Sequence, residues 1–137
     1  MFTRIVVPVD LAHTELLDKA LETASDLARH YGATLTYVSV TAETPTSIAR
    51  NPEEFGEKLA DFARARAAAD GLTIDAVPYI ATDPTIDIDA ILLRAAEEAG
   101  ADLVVIASHK PGLADYFWGS HGGRLASHAG ISVFVVR

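Results

Sequence analysis

Leu103-Val104-Val105-Ile106-Ala107-Ser108-His109-Lys110-Pro111-Gly112, then Gly119-Ser120-His121-Gly122-Gly123, then Ile131-Ser132-Val133-Phe134-Val135-Val136 decide how this chain reads. An apolar run opening into a polar, Gly-containing loop, followed by Gly-Ser at a helix start, is how an α/β protein builds a phosphate pocket. The N–H groups of a first helical turn lack intrahelical partners, and the helix dipole favours an anion beside them. The charge pattern agrees. Between Ser108 and His128 the charged residues are Lys110, Arg124 and one acid, Asp115, with histidines at 109, 121 and 128, on a chain of net charge −8. A locally cationic corner on an acidic chain points to an anionic ligand.

Outward from that stretch, apolar strands alternate with amphipathic helices, the pattern of a parallel sheet with helices on both faces. The periodicity predicts strands over residues 5–9, 34–40, 72–79, 103–106 and 133–136. Leu17, Ala20, Leu21, Ala24, Leu27 and Tyr31 recur at helical spacing, with Gly32 as a C′ residue. A second helix covers residues 53–70, with Glu53, Glu54 and Glu57 near its positive end. Ile88, Ile91, Leu92, Ala95 and Ala99 mark a third, closed by Gly100, and residues 120–129 a fourth. No repeat or linker interrupts the chain, which reads as one doubly wound domain over residues 1–137.

Ligands of such sheets lie beyond the carboxyl ends of the strands, where the strand order reverses. Pro8 has no N–H for a ladder, so it marks where the first strand leaves the sheet, and Asp10 projects from that end. The loop after the fourth strand is the other candidate. If the first and fourth strands are neighbours, both converge on one crevice.

Composition narrows the classes. The chain has 137 residues, 50% of them hydrophobic, and no cysteine. It can bury about two-thirds of its unfolded surface without staples, and disulfides and thiolate metal sites are excluded. No apolar run approaches the roughly 18 to 20 residues of a membrane helix. Met1 runs almost directly into the first strand, leaving no room for a signal peptide, so a cytoplasmic protein is expected. A pI near 4.9 argues against nucleic-acid binding.

Gly119-Ser120 supports two readings: Ser120 holds a phosphate with its hydroxyl and the following amides, or it is an ordinary N-cap. Gly122 and Gly123 in one first turn call for close approach, either of a ligand or of the fourth strand. His121 and His128 share a helix face but lie two turns apart, about 10 Å along the axis, too far to ligate one ion. No Gly-x-Ser-x-Gly elbow, P-loop or Gly-x-Gly-x-x-Gly is present. Tyr116-Phe117-Trp118 serve either as packing under the loop or as an apolar face for a partner.

With these residues assembled, the chain resembles a small, single-domain universal stress protein over its whole length. The resemblance rests on Ile5-Val6-Val7-Pro8-Val9-Asp10, Val38-Ser39-Val40, the stretch from Ala95 to Ile106, Gly119-Ser120, Arg124-Leu125-Ala126-Ser127-His128-Ala129 and Val133-Phe134-Val135-Val136-Arg137. The family's nucleotide motif is Gly-x-x-Gly, nine residues, then Gly-Ser/Thr. Here Ala107 and Lys110 stand at the glycine positions, and eight residues, Pro111 to Trp118, precede Gly119. Ala-Ser-His-Lys-Pro followed by Gly-Ser resembles the F-type branch, whose Ala-Ser-His-Arg-Pro loop is associated with ATP binding. Lys110 offers charge without arginine's bidentate fork.

The resemblance implies a five-stranded parallel sheet sandwiched by four helices, order 3-2-1-4-5, Rossmann-like and adenine nucleotide α-hydrolase-like. It implies that Pro8, Val9, Asp10 and Val40 surround adenine and ribose, that Ala107, Ser108, His109 and Lys110 line the ribose and phosphates, and that Gly119, Ser120 and His121 hold the phosphate tail. ATP is the implied ligand, with Mg²⁺ carried on the triphosphate. The expected function is stress-responsive regulation with at most slow ATP hydrolysis, no catalytic residue and no protein-held metal. The resemblance and the bare final strand together imply a homodimer through residues 133–136. The rival reading, from a branch that lacks the motif, is a dimeric interaction protein that works without nucleotide; its protein partners are not named by the sequence. A nucleotide-using enzyme is the third, and Asp10 and His109 are its only candidate bases.

Overall fold

The fold is taken from a computed structural model that describes residues 1–82, 84–108 and 130–137, residues 84–87 through their backbone alone. The helix expected over residues 120–129 lies outside the described residues. Strands β1 (Arg4–Pro8), β2 (Thr34–Ala42), β3 (Ile74–Ala81), β4 (Leu103–Ala107) and β5 (Ser132–Val136) form one sheet in the order β3-β2-β1-β4-β5. All four pairings are parallel. Helices α1 (Asp18–Tyr31), α2 (Pro52–Asp70) and α3 (Pro84–Glu98) connect them, and a 3₁₀ segment, Leu11–Leu16, precedes α1. The expected topology is the observed one.

Alternation along the strands distributes the core to two faces. Ile5, Val7, Leu35, Tyr37, Leu103 and Val105 pack with Leu21, Ala24 and Ala28 of α1 and with Leu59 and Ala63 of α2. The intervening Val6, Val38, Val104 and Ile106 pack with Ile88, Leu92, Ala95 and Ala96 of α3. Both faces of β1 and β4 are therefore apolar, as a helix-covered parallel strand requires. Truncating Leu21 or Leu59, each about 1% exposed or less, would cost roughly 2 to 5 kcal/mol.

Element boundaries differ from the expectations for local reasons. β3 begins two residues later than Leu72, because the Leu72 N–H is committed to the Ala67 carbonyl at 3.0 Å. This closes α2 after Gly71, which sits at φ 67°. Leu72 then packs against the core as the apolar residue following such a cap. Helix α3, whose start the apolar spacing leaves open, begins at Pro84, since proline suits a first helical turn whose N–H would be unpaired anyway. At the start of β1, the Asp102 carboxylate accepts from the N–H groups of Thr3 (2.8 Å) and Arg4 (3.0 Å), binding the amino ends of β1 and β4 together.

Candidate functional site

β1 ends one residue before the expected Val9, at the proline read as the strand's exit. Pro8 is its last residue, and pairing to β2 runs through Pro8 opposite Val38, whereas pairing to β4 is recorded only at Ile5–Leu103 and Val6–Val104. One strand pair stays closed to the top of the sheet and the other opens early. The backbone of Val9 remains tied to β2 by its N–H to the Val38 carbonyl, 2.7 Å. The buried Ser39 hydroxyl donates to the Val9 carbonyl at 2.5 Å. These two bonds fix the exit of β1, and with it the direction in which Asp10 leaves.

A cleft of about 180 Å³ opens there, walled by Val9 and Asp10 from β1's exit, Val40 and Thr41 from β2, and Phe55 of α2 and Ile88 of α3. Thr46, Ser47 and Ile48 close it from the loop after β2. That loop is a built turn: the Thr46 N–H donates to the Ala49 carbonyl at 2.9 Å, and the Thr46 hydroxyl accepts from Ile48 and Ala49 N–H groups at 3.3 and 3.2 Å. The Lys58 ammonium donates to the Ile48 carbonyl and pins the turn to α2. The start of α2 is set by Asn51, whose side-chain oxygen accepts from the Glu54 N–H at 2.8 Å. Arg50 hydrogen-bonds Glu54 and holds that carboxyl below the usual carboxylate range, with Lys58 adding to the effect.

Asp10 is the one charged side chain in the cleft wall among the described residues. Its Oδ1 accepts from the Ala12 N–H at 3.0 Å, the N-cap bond of the 3₁₀ segment. Its Oδ2 lies 2.9 Å from Nδ1 of His13. A carboxylate offers about four lone-pair sites, so acceptor capacity remains toward the cleft. The wall is otherwise apolar or hydroxylic, suited to a flat ring with a hydroxyl-bearing appendage.

Of the residues the sequence singles out, the structure brings Val9, Asp10 and Val40 together in this wall. Pro8 is buried at the end of β1 and outside the wall. Ala107 is 5% exposed and belongs to the core, and the Ser108 N–H donates to the Val136 carbonyl at 2.7 Å, so that amide is committed to the sheet. His109, Lys110, Gly119, Ser120 and His121 lie outside the described residues. The sequence reading overlooked the Thr46–Ile48 turn, Phe55, Ile88 and His13. Ile88 reads as a helix-marking apolar residue because an apolar wall and an apolar core share one periodicity, and Phe55 is not singled out within the second helix. His13 had a legible signal: Asp10 followed three residues later by a side chain able to reach back, the spacing of an N-terminal cap.

The universal stress protein family profile matches residues 1–137. Universal stress protein G of Shigella flexneri is 30% identical over 148 aligned positions, covering 100% of both chains. A solved universal stress protein in complex with cAMP superposes with a TM-score of 0.68 at 21% identity, covering 99% of this chain and 97% of the other. One from Archaeoglobus fulgidus in complex with dAMP gives 0.66 at 20% identity, covering 98% of each. At those identities the superpositions establish the fold. Together with the profile match from first residue to last, they agree with the strand order: the chain belongs to the universal stress protein family.

Proposed function

We propose that this protein binds ATP at the carboxyl ends of β1 and β2 and serves as a nucleotide-sensing regulator in the stress response, with little or no catalysis. The observation that carries the reading is the cleft between Val9, Val40 and Ile88 with the Asp10 carboxylate at its mouth. Its volume of about 180 Å³ is below the roughly 300 Å³ at which whole small-molecule sites begin. It therefore suits the base and part of the sugar. The phosphates extend toward Ser108 and the stretch carrying His109, Lys110, Gly119, Ser120 and His121. Structural neighbours in complex with cAMP and dAMP support adenine as the base.

Asp10 accepts hydrogen bonds from sugar hydroxyls, while apolar contacts exclude water from the ring. Both Asp10 oxygens already accept local bonds, which suits it to holding a ligand rather than to taking a proton from water. Magnesium binds through one or two carboxylates plus substrate phosphates and water. With Asp10 so engaged, the ion is held mainly by the triphosphate. The protein acts in the cytoplasm as a homodimer through β5, whose Phe134 and Val135 are 44% and 43% exposed. This last observation also favours a second reading, a dimer that works without nucleotide.

Millimolar ATP separates the two. A ligand confined to the folded state adds about 2.7 kcal/mol at a hundredfold excess over Kd, several degrees in melting temperature for a domain of this size. Gly119→Val is expected to abolish the gain, and Ser120→Ala to weaken it. An unmoved melting temperature in the wild type, with no nucleotide co-purifying, leaves the nucleotide-free dimer as the function.

A further inference from the structure

We infer that His13 is the positioning residue of the ligand site: it fixes the orientation of the Asp10 carboxylate and thereby sets how strongly the cleft selects a hydroxyl-bearing sugar. The inference rests on the nucleotide reading above and deepens it. His13 does not line the cleft; its ring lies behind Asp10, with Nδ1 2.9 Å from Oδ2. An ionised carboxylate can only accept, so in neutral His13 the proton sits on Nδ1 and Nε2 is left unprotonated.

The backbone is shaped for this contact. Within the Leu11–Leu16 segment His13 alone departs from helical geometry, at φ −138° and ψ 45°. That kink coincides with the residue whose ring folds back onto Asp10. Capping does not require it, because the Ala12 N–H on Oδ1 already satisfies the N-cap. The second bond does something the first does not: it stops the carboxylate rotating about its last torsion, a broad, soft one in aspartate. The pair is also sheltered, with side chains 26% and 15% exposed for His13 and Asp10, so water competes less than at an open surface pair. A carboxylate held at both oxygens presents its remaining lone pairs in one direction, and such pre-organisation raises selectivity.

The test compares ATP with 2′,3′-dideoxy-ATP, which lacks both sugar hydroxyls, by calorimetric titration of wild type, His13→Ala and His13→Asn. The wild type is expected to prefer ATP by about tenfold, the scale of one hydrogen bond to a charged group. His13→Ala should lose most of that preference by weakening ATP and leaving the dideoxy ligand unchanged. His13→Asn, whose amide can donate from near the Nδ1 position, should restore it. Equal preference in wild type and His13→Ala, with ATP bound, overturns the inference and leaves the nucleotide reading standing. A wild type that binds neither ligand overturns both. Side-chain ¹⁵N NMR of the wild type gives a check independent of any variant: neutral His13 should carry its proton on Nδ1, and an Nε2–H tautomer contradicts the account.

Discussion

The two ends of the parallel sheet are built for opposite purposes. At the amino ends of the strands, α1, α2 and α3 all finish near glycines in the left-handed region: Gly32 at φ 66°, Gly71 at 67° and Gly100 at 65°. Arginines meet the negative helix ends there. Arg29 donates to the Asp70 carbonyl at 3.0 and 3.3 Å, and Arg4 to the Ala99 carbonyl at 3.4 Å. At the carboxyl ends the same helices begin, so their positive dipole ends face that side, with the start of α2 capped by Asn51. The groove at the amino end, beside Arg4, Thr34 and Asp75, is the larger, about 560 Å³ against about 180 Å³. It is a shallow, solvent-open surface. The smaller cleft, with its apolar walls and a carboxylate bonded to Ala12 and His13, is the one we propose for the base and sugar. Enclosure and helix polarity, more than volume, distinguish a site from a staple.

If that division holds, substitutions at the two ends separate binding from stability. The largest effect is expected at Asp10. Asp10→Ala removes a charged acceptor and should weaken ATP by about 2 kcal/mol, some thirtyfold, by titration calorimetry. Its cost in folding stability should be about 1 kcal/mol, the loss of a cap.

Gly100→Val is the converse. A Cβ at Gly100 would lie 2.9 Å from an Arg4 guanidinium nitrogen, at φ +65°. The left-handed backbone alone costs a residue with a Cβ roughly 1 to 2 kcal/mol. Denaturant unfolding should register that loss, and the ATP Kd should not move.

Acid should act on the amino end. Hydrogen bonding from Ser25, with Arg66 and Arg29 nearby, outweighs burial and holds the Asp70 carboxyl below its ordinary value. At Asp102 burial pushes upward, but the N–H groups of Arg4 and Thr3 and the Thr3 hydroxyl together prevail and lower it. Carboxyls depressed in the folded state contribute stability above their unfolded values, about 3.9, and lose it as pH falls through the folded ones. Urea midpoints should therefore be insensitive to these two groups from pH 7 to about 5 and fall below about 4. Asp70→Asn should flatten that fall.

The smallest effect belongs to the core between the ends. The Tyr37 hydroxyl is buried without a hydrogen-bond partner among the described residues, and burial pushes its pKa up to about 12. Tyr37→Phe removes a polar group that makes no bond, so its unfolding free energy should be unchanged or higher by less than about 1 kcal/mol.

Helix identity was legible because the apolar residues of α1 and α3 recur at helical spacing, and Gly32 and Gly100 close those helices in the conformation that favours glycine. The strand order followed from the family resemblance, since β1 and β4 are continuous apolar runs with no period-two pattern to order them. The strand exit was legible too, since Pro8 cannot extend a ladder and Asp10 follows at once. The cleft was only half legible. Val9, Asp10 and Val40 belong to strand ends, which topology places, while the Thr46–Ile48 turn reaches the cleft through a lysine-pinned loop that no periodicity reports. Phe55 and Ile88 face both core and cleft, and one apolar pattern serves both. Backbone availability was not legible either: the Ser108 amide is consumed by β5, a pairing that exists only in three dimensions.

Titration of ¹⁵N-labelled protein with ATP, followed amide by amide, confronts the contrast between the two ends directly. Saturable shifts should centre on Val9 to His13, Ser39 to Ala42 and Thr46 to Ile48, with Thr34, Asp75 and Gly100 unmoved. No shift at millimolar ATP, or shifts centred on Arg4, Thr34 and Asp75, would contradict the assignment of the carboxyl-end cleft as the nucleotide site.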